Sequence, residues 1–271
     1  MEQEQILNDI TCVVNHKGGV AKTSTVLSIA GGLLRKNKRV KVLVIDMDPQ
    51  CNLSLLCGWN FKNTKLPTVY ESLRDQSGIP VYKSERGIYF TPASRKLQQV
   101  DTDLYRQMEP YRVLWGCFGQ NVDDRTGEGL TDVTRSFDYI LIDCPPALSG
   151  TTYNAMAVSS RILIPIQLEP LSINGLAPIL VEQERVDRSL RQRQGQDICI
   201  VPVMVDGNTR IARGYKQYLH ETYGKYLSDV SIRKDVKMRE SQMQRQAKDI
   251  FSYAPYSRVA IDYENLIKEL Y

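Results

Sequence analysis

The chain lacks any apolar run approaching the roughly 18 residues that a membrane-spanning helix needs, so nothing in it is expected to cross a bilayer. It also lacks a strong charge of either sign: 35 Lys and Arg stand against 31 Asp and Glu. Global charge therefore favours neither a nucleic-acid binder nor an acidic-ligand enzyme, and any basic patch must come from local placement. The stretch Met1–Ile10 is polar and acidic, unlike a signal or transit peptide. Six cysteines are present, Cys12, Cys51, Cys57, Cys117, Cys144 and Cys199, yet no Cys-x-x-Cys pair or Cys/His cluster occurs. Metal-binding spacing is thus absent. Three of the six lie in apolar runs or directly after one, where a reduced cysteine acts as a small hydrophobe. All six are expected as free thiols in a reducing, cytoplasmic setting. No linker, repeat or low-complexity segment is visible. A chain of 271 residues can bury a sizeable core, and a single domain over 1–271 is expected.

What is present is one organising stretch, His16-Lys17-Gly18-Gly19-Val20-Ala21-Lys22-Thr23-Ser24-Thr25. Thr11–Asn15 before it reads as a short buried strand. After it, Val26, Ile29, Ala30, Leu33 and Leu34 recur at helical spacing. A glycine-rich turn between strand and helix curls backbone N–H groups around an anion, and the helix N-terminus adds its positive dipole end. Lys22 is placed to reach β- and γ-phosphate oxygens, and the Thr23 hydroxyl to ligate Mg2+. A glycine pair alone fits an ordinary turn. Two lysines and a Thr-Ser-Thr run at fixed offsets point to a phosphate loop. The standard pattern G-x-x-x-x-G-K-[ST] is broken at His16 and Ala21. If position 21 needs a left-handed backbone, alanine costs roughly 1 kcal/mol over glycine there.

Two further apolar runs end in carboxylates. Val40–Asp46 is continuous enough to be buried on both faces, and it leads into Asp46-Met47-Asp48-Pro49-Gln50. Two carboxylates at the carboxyl end of a parallel strand suit magnesium and water positioning. The plainer alternative is an Asp-Pro turn that caps the next helix. Phe137–Asp143 is the second run, followed by Cys144-Pro145-Pro146. Asp143 can hold Mg2+ through water, or it can merely cap a helix.

Together these segments resemble the motifs K-G-G-x-G-K-[ST], D-x-D-P-Q and D-x-P-P of the ParA/MinD family of deviant Walker A ATPases. The resemblance implies ATP and Mg2+ as cofactors. Lys17 matches the signature lysine, which reaches the phosphates of the opposite subunit in an ATP-bound sandwich dimer. Lys22 matches the loop lysine, and Gly18, Gly19, Val20, Ala21 and Ser24 complete the nucleotide loop. Thr23 matches the magnesium ligand. Asp48 matches the switch aspartate that positions the attacking water, and it is a further metal residue beside Asp143. Lys17, Lys22 and Asp48 are then the catalytic set. Asn154 sits where the family often has asparagine. The activity implied is slow ATP hydrolysis, stimulated by a ParB-like centromere-binding partner. It would serve the partition of plasmid, chromosome or other cargo by a nucleoid-associated homodimer that binds duplex DNA without sequence preference. Only about ten residues precede the first strand, so no N-terminal helix-turn-helix is expected.

Further strands are expected at Gly87–Ala93, Arg161–Gln167 and Ile198–Val205, with a strand-like piece at Leu227–Ile232. Helices are expected at Val69–Asp75, Leu104–Phe118 apart from Pro110, Thr151–Ser159, Gly175–Arg193, Arg210–Tyr223 and Asp262–Tyr271. Leu168–Ser172 and Gly116–Gly129 read as loops. Alternating strands and helices imply one doubly wound, mostly parallel α/β sheet with helices on both faces, a P-loop NTPase fold.

Three other readings compete. A MinD-like membrane regulator ends in a basic amphipathic helix, whereas Asp262–Tyr271 carries three acids against one lysine. A bacterial tyrosine kinase would carry a terminal tyrosine cluster, but Tyr253, Tyr256, Tyr263 and Tyr271 are widely spaced and read as core and helix residues. A nitrogenase-type iron protein needs two cluster cysteines, and Cys144 has no convincing mate. The segment Ser231–Glu240 resembles the ParA stretch I-P-R-N-V-R-L-S-E. Lys234 and Lys237 fall where that family has arginines, the second implicated in DNA binding, and Arg233 replaces its proline.

Overall fold

The computed structural model describes residues 9–62, 65–104, 110–119, 133–190, 196–206, 209–243 and 248–271. Among them the strands are β1 (Asp9–Val13), β2 (Val42–Asp46), β3 (Tyr82–Lys83), β4 (Tyr89–Thr91), β5 (Tyr139–Asp143), β6 (Arg161–Ile166) and β7 (Asp197–Pro202). They form one seven-stranded sheet in the order β3-β4-β2-β5-β1-β6-β7. Every named pairing is parallel except β3 with β4. The continuous apolar runs explain the burial of both faces. Side chains alternate: Cys12, Leu43, Ile45, Ile140 and Ile142 enter one core, and Val13, Val42, Val44 and Leu141 enter the other. Helices such as Gly150–Val158 and Leu176–Ser189 cover the first core. Lys22–Lys36 and Arg258–Leu270 cover the second. The doubly wound, mostly parallel sheet is as expected from the sequence.

Several boundaries differ. β1 stops before Asn15, whose side chain accepts the Lys17 N–H at 2.9 Å and donates to the Pro165 carbonyl at 2.8 Å. Asn15 thus braces the loop rather than extending the strand. The helix expected over Leu104–Phe118 is instead two helices, Leu97–Leu104 and Val113–Gly119. Leu97, Val100 and Leu104 share one buried stripe, a spacing that places the first helix before Leu104 rather than after it. The loop expected from Gly116 is helical up to Gly119, and 120–129 lie outside the described residues. Leu168–Ser172 is not all loop, because Pro170–Asn174 forms a short helix with proline in its first turn. Leu227–Ile232 makes an isolated bridge to Ile200 instead of a strand. The helix expected over Gly175–Arg193 is described as Leu176–Ser189, with 191–195 outside the described residues.

The last helix starts at Arg258, with Ser257 as its N-cap. Val259, Ala260, Tyr263, Leu266, Ile267 and Leu270 bury its apolar face. Gly32 lets the helix approach: a Cβ there would lie 2.2 Å from Ile267 Cδ1 and 2.7 Å from Phe251 Cε2. The Tyr263 hydroxyl meets Thr25 Oγ1 at 3.0 Å and the Tyr271 hydroxyl meets Thr11 Oγ1 at 2.8 Å. These two tyrosines serve packing, whereas Tyr256 is 87% exposed. Most of its apolar side chains are committed to the core, and Ile261 is exposed. Among the described residues no helix is long and apolar enough to cross a membrane. All six cysteines are free and buried.

Candidate nucleotide-binding site

The sheet order places β1 between β5 and β6, so the loop after β1 is flanked by the carboxyl ends of both. That is where open parallel sheets bind ligands. In register, Asp143 lies beside Val13 on one side and Asp46 on the other. Phosphate loop and carboxylates are thereby brought together from three separate segments.

The loop is held open by its own side chains. Lys22 is buried, and its Nζ donates to the carbonyls of Asn15 at 2.9 Å and Lys17 at 3.0 Å. A cation folded back on two loop carbonyls fixes the curvature of the turn. Burial lowers its pKa, and Asp143, Cys144 and Asp48 act against that shift. Gly18 and Gly19 are exposed, Gly19 with φ 77°. Val20 is fully buried and anchors the turn. Ala21 has φ 59° and ψ 24°, so this position does take the left-handed backbone. Ser24 Oγ accepts from Gln242 Nε2 at 2.8 Å. His16 packs so tightly on Gly175 that a Cβ there would lie 1.8 Å from its Cε1, and its buried Nδ1 has no hydrogen-bond partner among the described residues.

The three carboxylates have different surroundings. Asp46 is satisfied: its Oδ1 accepts the Asp48 N–H at 3.0 Å, and its Oδ2 accepts the Ser54 N–H at 2.8 Å and hydroxyl at 2.6 Å. Burial nevertheless pushes its pKa up to about 7, against the Ser54 and Asp48 hydrogen bonds. Asp48 accepts the Gln50 N–H at 2.9 Å, and burial raises its pKa while Lys22 lowers it. Asp143 accepts from the Thr23 hydroxyl at 2.6 Å through Oδ2, while its Oδ1 is buried without a partner among the described residues. Burial first, then the Asp46 charge, holds its pKa well above the usual range. An orphaned carboxylate oxygen beside a hydroxyl and a third carboxylate is a donor set that fits a hard divalent cation. Thr23 and Asp143 are together, with Asp48 close enough for Lys22 to act on both carboxyls.

Lys17 points elsewhere. Its Nζ is held by Glu169, with Gln167 Oε1 and Ser172 Oγ each at 3.3 Å. Sequence reasoning did not anticipate these three residues. Their signal was faint: a carboxylate three residues beyond β6, which becomes meaningful only once β6 is known to flank β1. Asn154 is fully buried, accepting the Leu114 N–H at 3.0 Å and donating to Pro110 at 2.7 Å and Gly150 at 2.9 Å. It fastens two helices and does not reach the loop. Lys234 and Lys237 are exposed, and Lys237 lies on the helix Val236–Gln242, whose Gln242 bonds Ser24 of the loop. Lys234 pairs with Asp206 at 3.6 Å, and Lys237 with Glu240 at 2.8 Å. Arg233 bonds Asp262.

A family model described as an AAA domain matches residues 8–194. The chromosome-partitioning ATPase Soj of Thermus thermophilus is 29% identical over 262 residues, covering 95% of this chain and 93% of that protein. The chromosome partitioning protein ParA of Myxococcus xanthus is 29% identical over 235 residues, covering 85% and 77%. A McdA variant of Cyanothece, solved as an ATP complex, superposes with a TM-score of 0.81 at 20% identity, covering 97% of this chain and 96% of that one.

Proposed function

Because the chain belongs to the AAA domain family, among the deviant Walker A ATPases of the ParA/MinD type, we propose that it hydrolyses ATP to ADP and phosphate to drive partition of DNA or another cargo. The observation that carries this is the 2.6 Å contact from Thr23 to Asp143, with the other Asp143 oxygen buried and unpartnered. A satisfied structural carboxylate would not leave an oxygen orphaned at a cost of roughly 1–3 kcal/mol. Thr23 and Asp143, with Asp48, are the residues that would hold Mg2+. When bound, Mg2+ neutralises phosphate charge.

The remaining roles belong to the chain. The loop N–H groups and Lys22 bind the β- and γ-phosphates, once Lys22 exchanges two carbonyls for phosphate oxygens. Asp48 orients the water that attacks the γ-phosphate. Lys17 leaves Glu169 and reaches the phosphates of a second subunit. Such chemistry depends on positioning and charge stabilisation, so an incomplete site is slow and a partner that completes it is stimulatory. A ParB-like protein is the proposed stimulator.

Lys234 and Lys237 are the proposed contacts to duplex DNA. Both remain exposed, and surface ion pairs such as theirs are worth about 0–1 kcal/mol, so phosphates can displace Asp206 and Glu240. Dimerisation doubles the patch, and phosphate contacts add through counterion release. The test is ATP turnover with and without non-specific duplex DNA, in wild type and in Lys22→Ala. Wild type should turn over slowly, and Lys22→Ala should bind no nucleotide. Normal binding by Lys22→Ala refutes the loop assignment. Lys234→Ala with Lys237→Ala should weaken ATP-dependent DNA binding uniformly across sequences. An unchanged affinity and salt slope in a variant that still dimerises removes the patch from the DNA surface.

A further inference from the structure

The carboxyl ends of the strands carry the loop, the carboxylates and the Lys234–Lys237 segment, which bridges to Val205 just beyond β7. The opposite end of the sheet has a different character. There, the last turn of the helix Lys22–Lys36, the turn at 37–41 that enters β2, and the β3–β4 hairpin enclose an open groove of about 640 Å³. Six basic side chains line it: Arg35, Lys38, Arg39, Lys41, Lys83 and Arg86. One carboxylate lines it, Asp249, and that group is turned inward. It is 4% exposed and accepts the N–H groups of Phe251 and Ser252, each at 3.0 Å, together with the Ser252 hydroxyl. Among the described residues no carboxylate lies within ion-pair distance of Arg35, Lys38, Arg39, Lys41 or Lys83. The contrast with Lys234 and Lys237, each already paired, is direct.

The groove does not stop at its rims. Lys83 and Arg86 also wall a neighbouring recess of about 320 Å³, which the exposed Glu85 lines with them. On the other side Arg39 and Lys41 wall a recess of about 480 Å³ that continues to Arg135 and is also lined by Asp138, whose carboxylate accepts the Lys41 backbone N–H at 2.7 Å. Three depressions that share their cationic walls make a track rather than a pocket. A compact anion would need only one of them. Arg35 complements the partial negative charge of its helix C-terminus, but Lys38, Arg39, Lys41 and Lys83 lie outside helices and have no such local reason. In a chain with a net charge of only +4, this concentration of cations is a local choice.

We propose that this track is a second polyanion-binding site, which takes the phosphate backbone of nucleic acid independently of nucleotide state. It goes beyond the function proposed above and does not rest on it, since no residue of the loop, the carboxylates or the Lys234–Lys237 segment takes part. The lining has cations but no set of paired donors and acceptors directed at base edges, so it reads charge and not sequence. Its place at the far end of the sheet leaves it open in the monomer and with the nucleotide site empty. A protomer that also binds DNA through Lys234 and Lys237 then holds two duplex segments, one at each end.

The experiment measures anisotropy of a short labelled duplex with the full chain, without nucleotide, over a salt series. Lys38→Glu, Arg39→Glu and Lys83→Glu are combined in one variant; all three side chains are exposed, and ATP binding with thermal melting verifies that the fold is intact. Wild type should bind in a salt-dependent way. The variant should bind more than about tenfold more weakly, with its log K against log salt slope flatter by about three units, near 0.9 for each phosphate that is no longer neutralised. The proposal is overturned if wild type shows no such binding, or if the charge-reversed protein keeps affinity and slope. It is also overturned if poly-glutamate competes more tightly than duplex, which would assign the track to an acidic protein segment.

Discussion

Replacing Ala21 with glycine tests the loop geometry most directly. Ala21 holds φ 59° and ψ 24°, and its carbonyl accepts the first helical bond from the Thr25 N–H at 2.8 Å. The left-handed conformation costs alanine roughly 1–2 kcal/mol, which glycine avoids. Glycine returns about 0.4–1 kcal/mol of that through the greater freedom of its unfolded chain. Ala21 also packs half-buried against the second core, so losing its methyl removes about half of the ~0.8 kcal/mol of a fully buried one. These terms nearly cancel, and Ala21→Gly should lie within about 1 kcal/mol of wild type. At this size that shifts the melting temperature by no more than about 4 °C. Ala21→Val should lose about 2 kcal/mol, because a β-branched residue resists that backbone region more than alanine does. The loop already has this shape without nucleotide, so ATP affinity in Ala21→Gly should stay within about fivefold of wild type. Urea denaturation and calorimetric ATP titration on the three proteins decide the matter. If Ala21→Val is as stable as wild type, the backbone strain is not there. If Ala21→Gly binds ATP more than about tenfold tighter, the loop must change shape on binding.

Glu169→Gln should ease ATP-dependent dimerisation by up to about fivefold, since it removes a half-exposed ion pair worth at most about 1 kcal/mol that holds Lys17 within its own subunit. Lys17→Ala should abolish the dimer while retaining nucleotide; sedimentation with a non-hydrolysable analogue reads both, and a normal Lys17→Ala dimer refutes the cross-subunit role. Asp48→Ala should slow hydrolysis by about a hundredfold or more while ATP binding changes little, leaving a long-lived ATP dimer. Wild-type turnover in that variant transfers the water-positioning role to Asp46. The raised pKa of Asp46, about 7, makes a pH prediction. The folded state keeps a proton there that the unfolded chain releases near pH 4, so stability falls as pH rises from about 4 to about 7 and levels off above. Asp46→Asn should flatten that fall in denaturation measured across the range; an equally steep fall in the variant assigns it to other groups.

The fold was legible because each central strand is a continuous apolar run, and the carboxylates were legible because they end such runs. Asp143 needed no structure to be noticed. The roles of Asp46 and Asp48 could not be told apart in sequence, because the difference is Ser54, eight residues on, which saturates one oxygen of Asp46. The surroundings of Lys17 were hidden for a longer-range reason. Glu169 is 152 residues away and meets Lys17 only because β6 lies next to β1, an order that periodicity does not encode. The helix Leu97–Leu104 escaped because five of its eight residues are polar, so its buried stripe rests on three leucine and valine positions alone.

The basic track escaped for another reason again. Arg35, Lys38, Arg39 and Lys41 are close in sequence, but Lys83 and Arg86 join them only through the antiparallel β3–β4 hairpin at the sheet edge. A balanced total charge conceals such a concentration, since acids elsewhere cancel it in the sum without screening it in space. Over distances beyond about 10 Å at moderate salt those distant acids contribute little to the local potential. On the two proposals, opposite ends of one sheet present separate surfaces for anions, one gated by nucleotide through dimerisation and one set by the bare fold. The order of events for a DNA ligand follows from that asymmetry. On the proposed assignments, the ungated end would determine where a protomer resides, and the gated end whether it holds on.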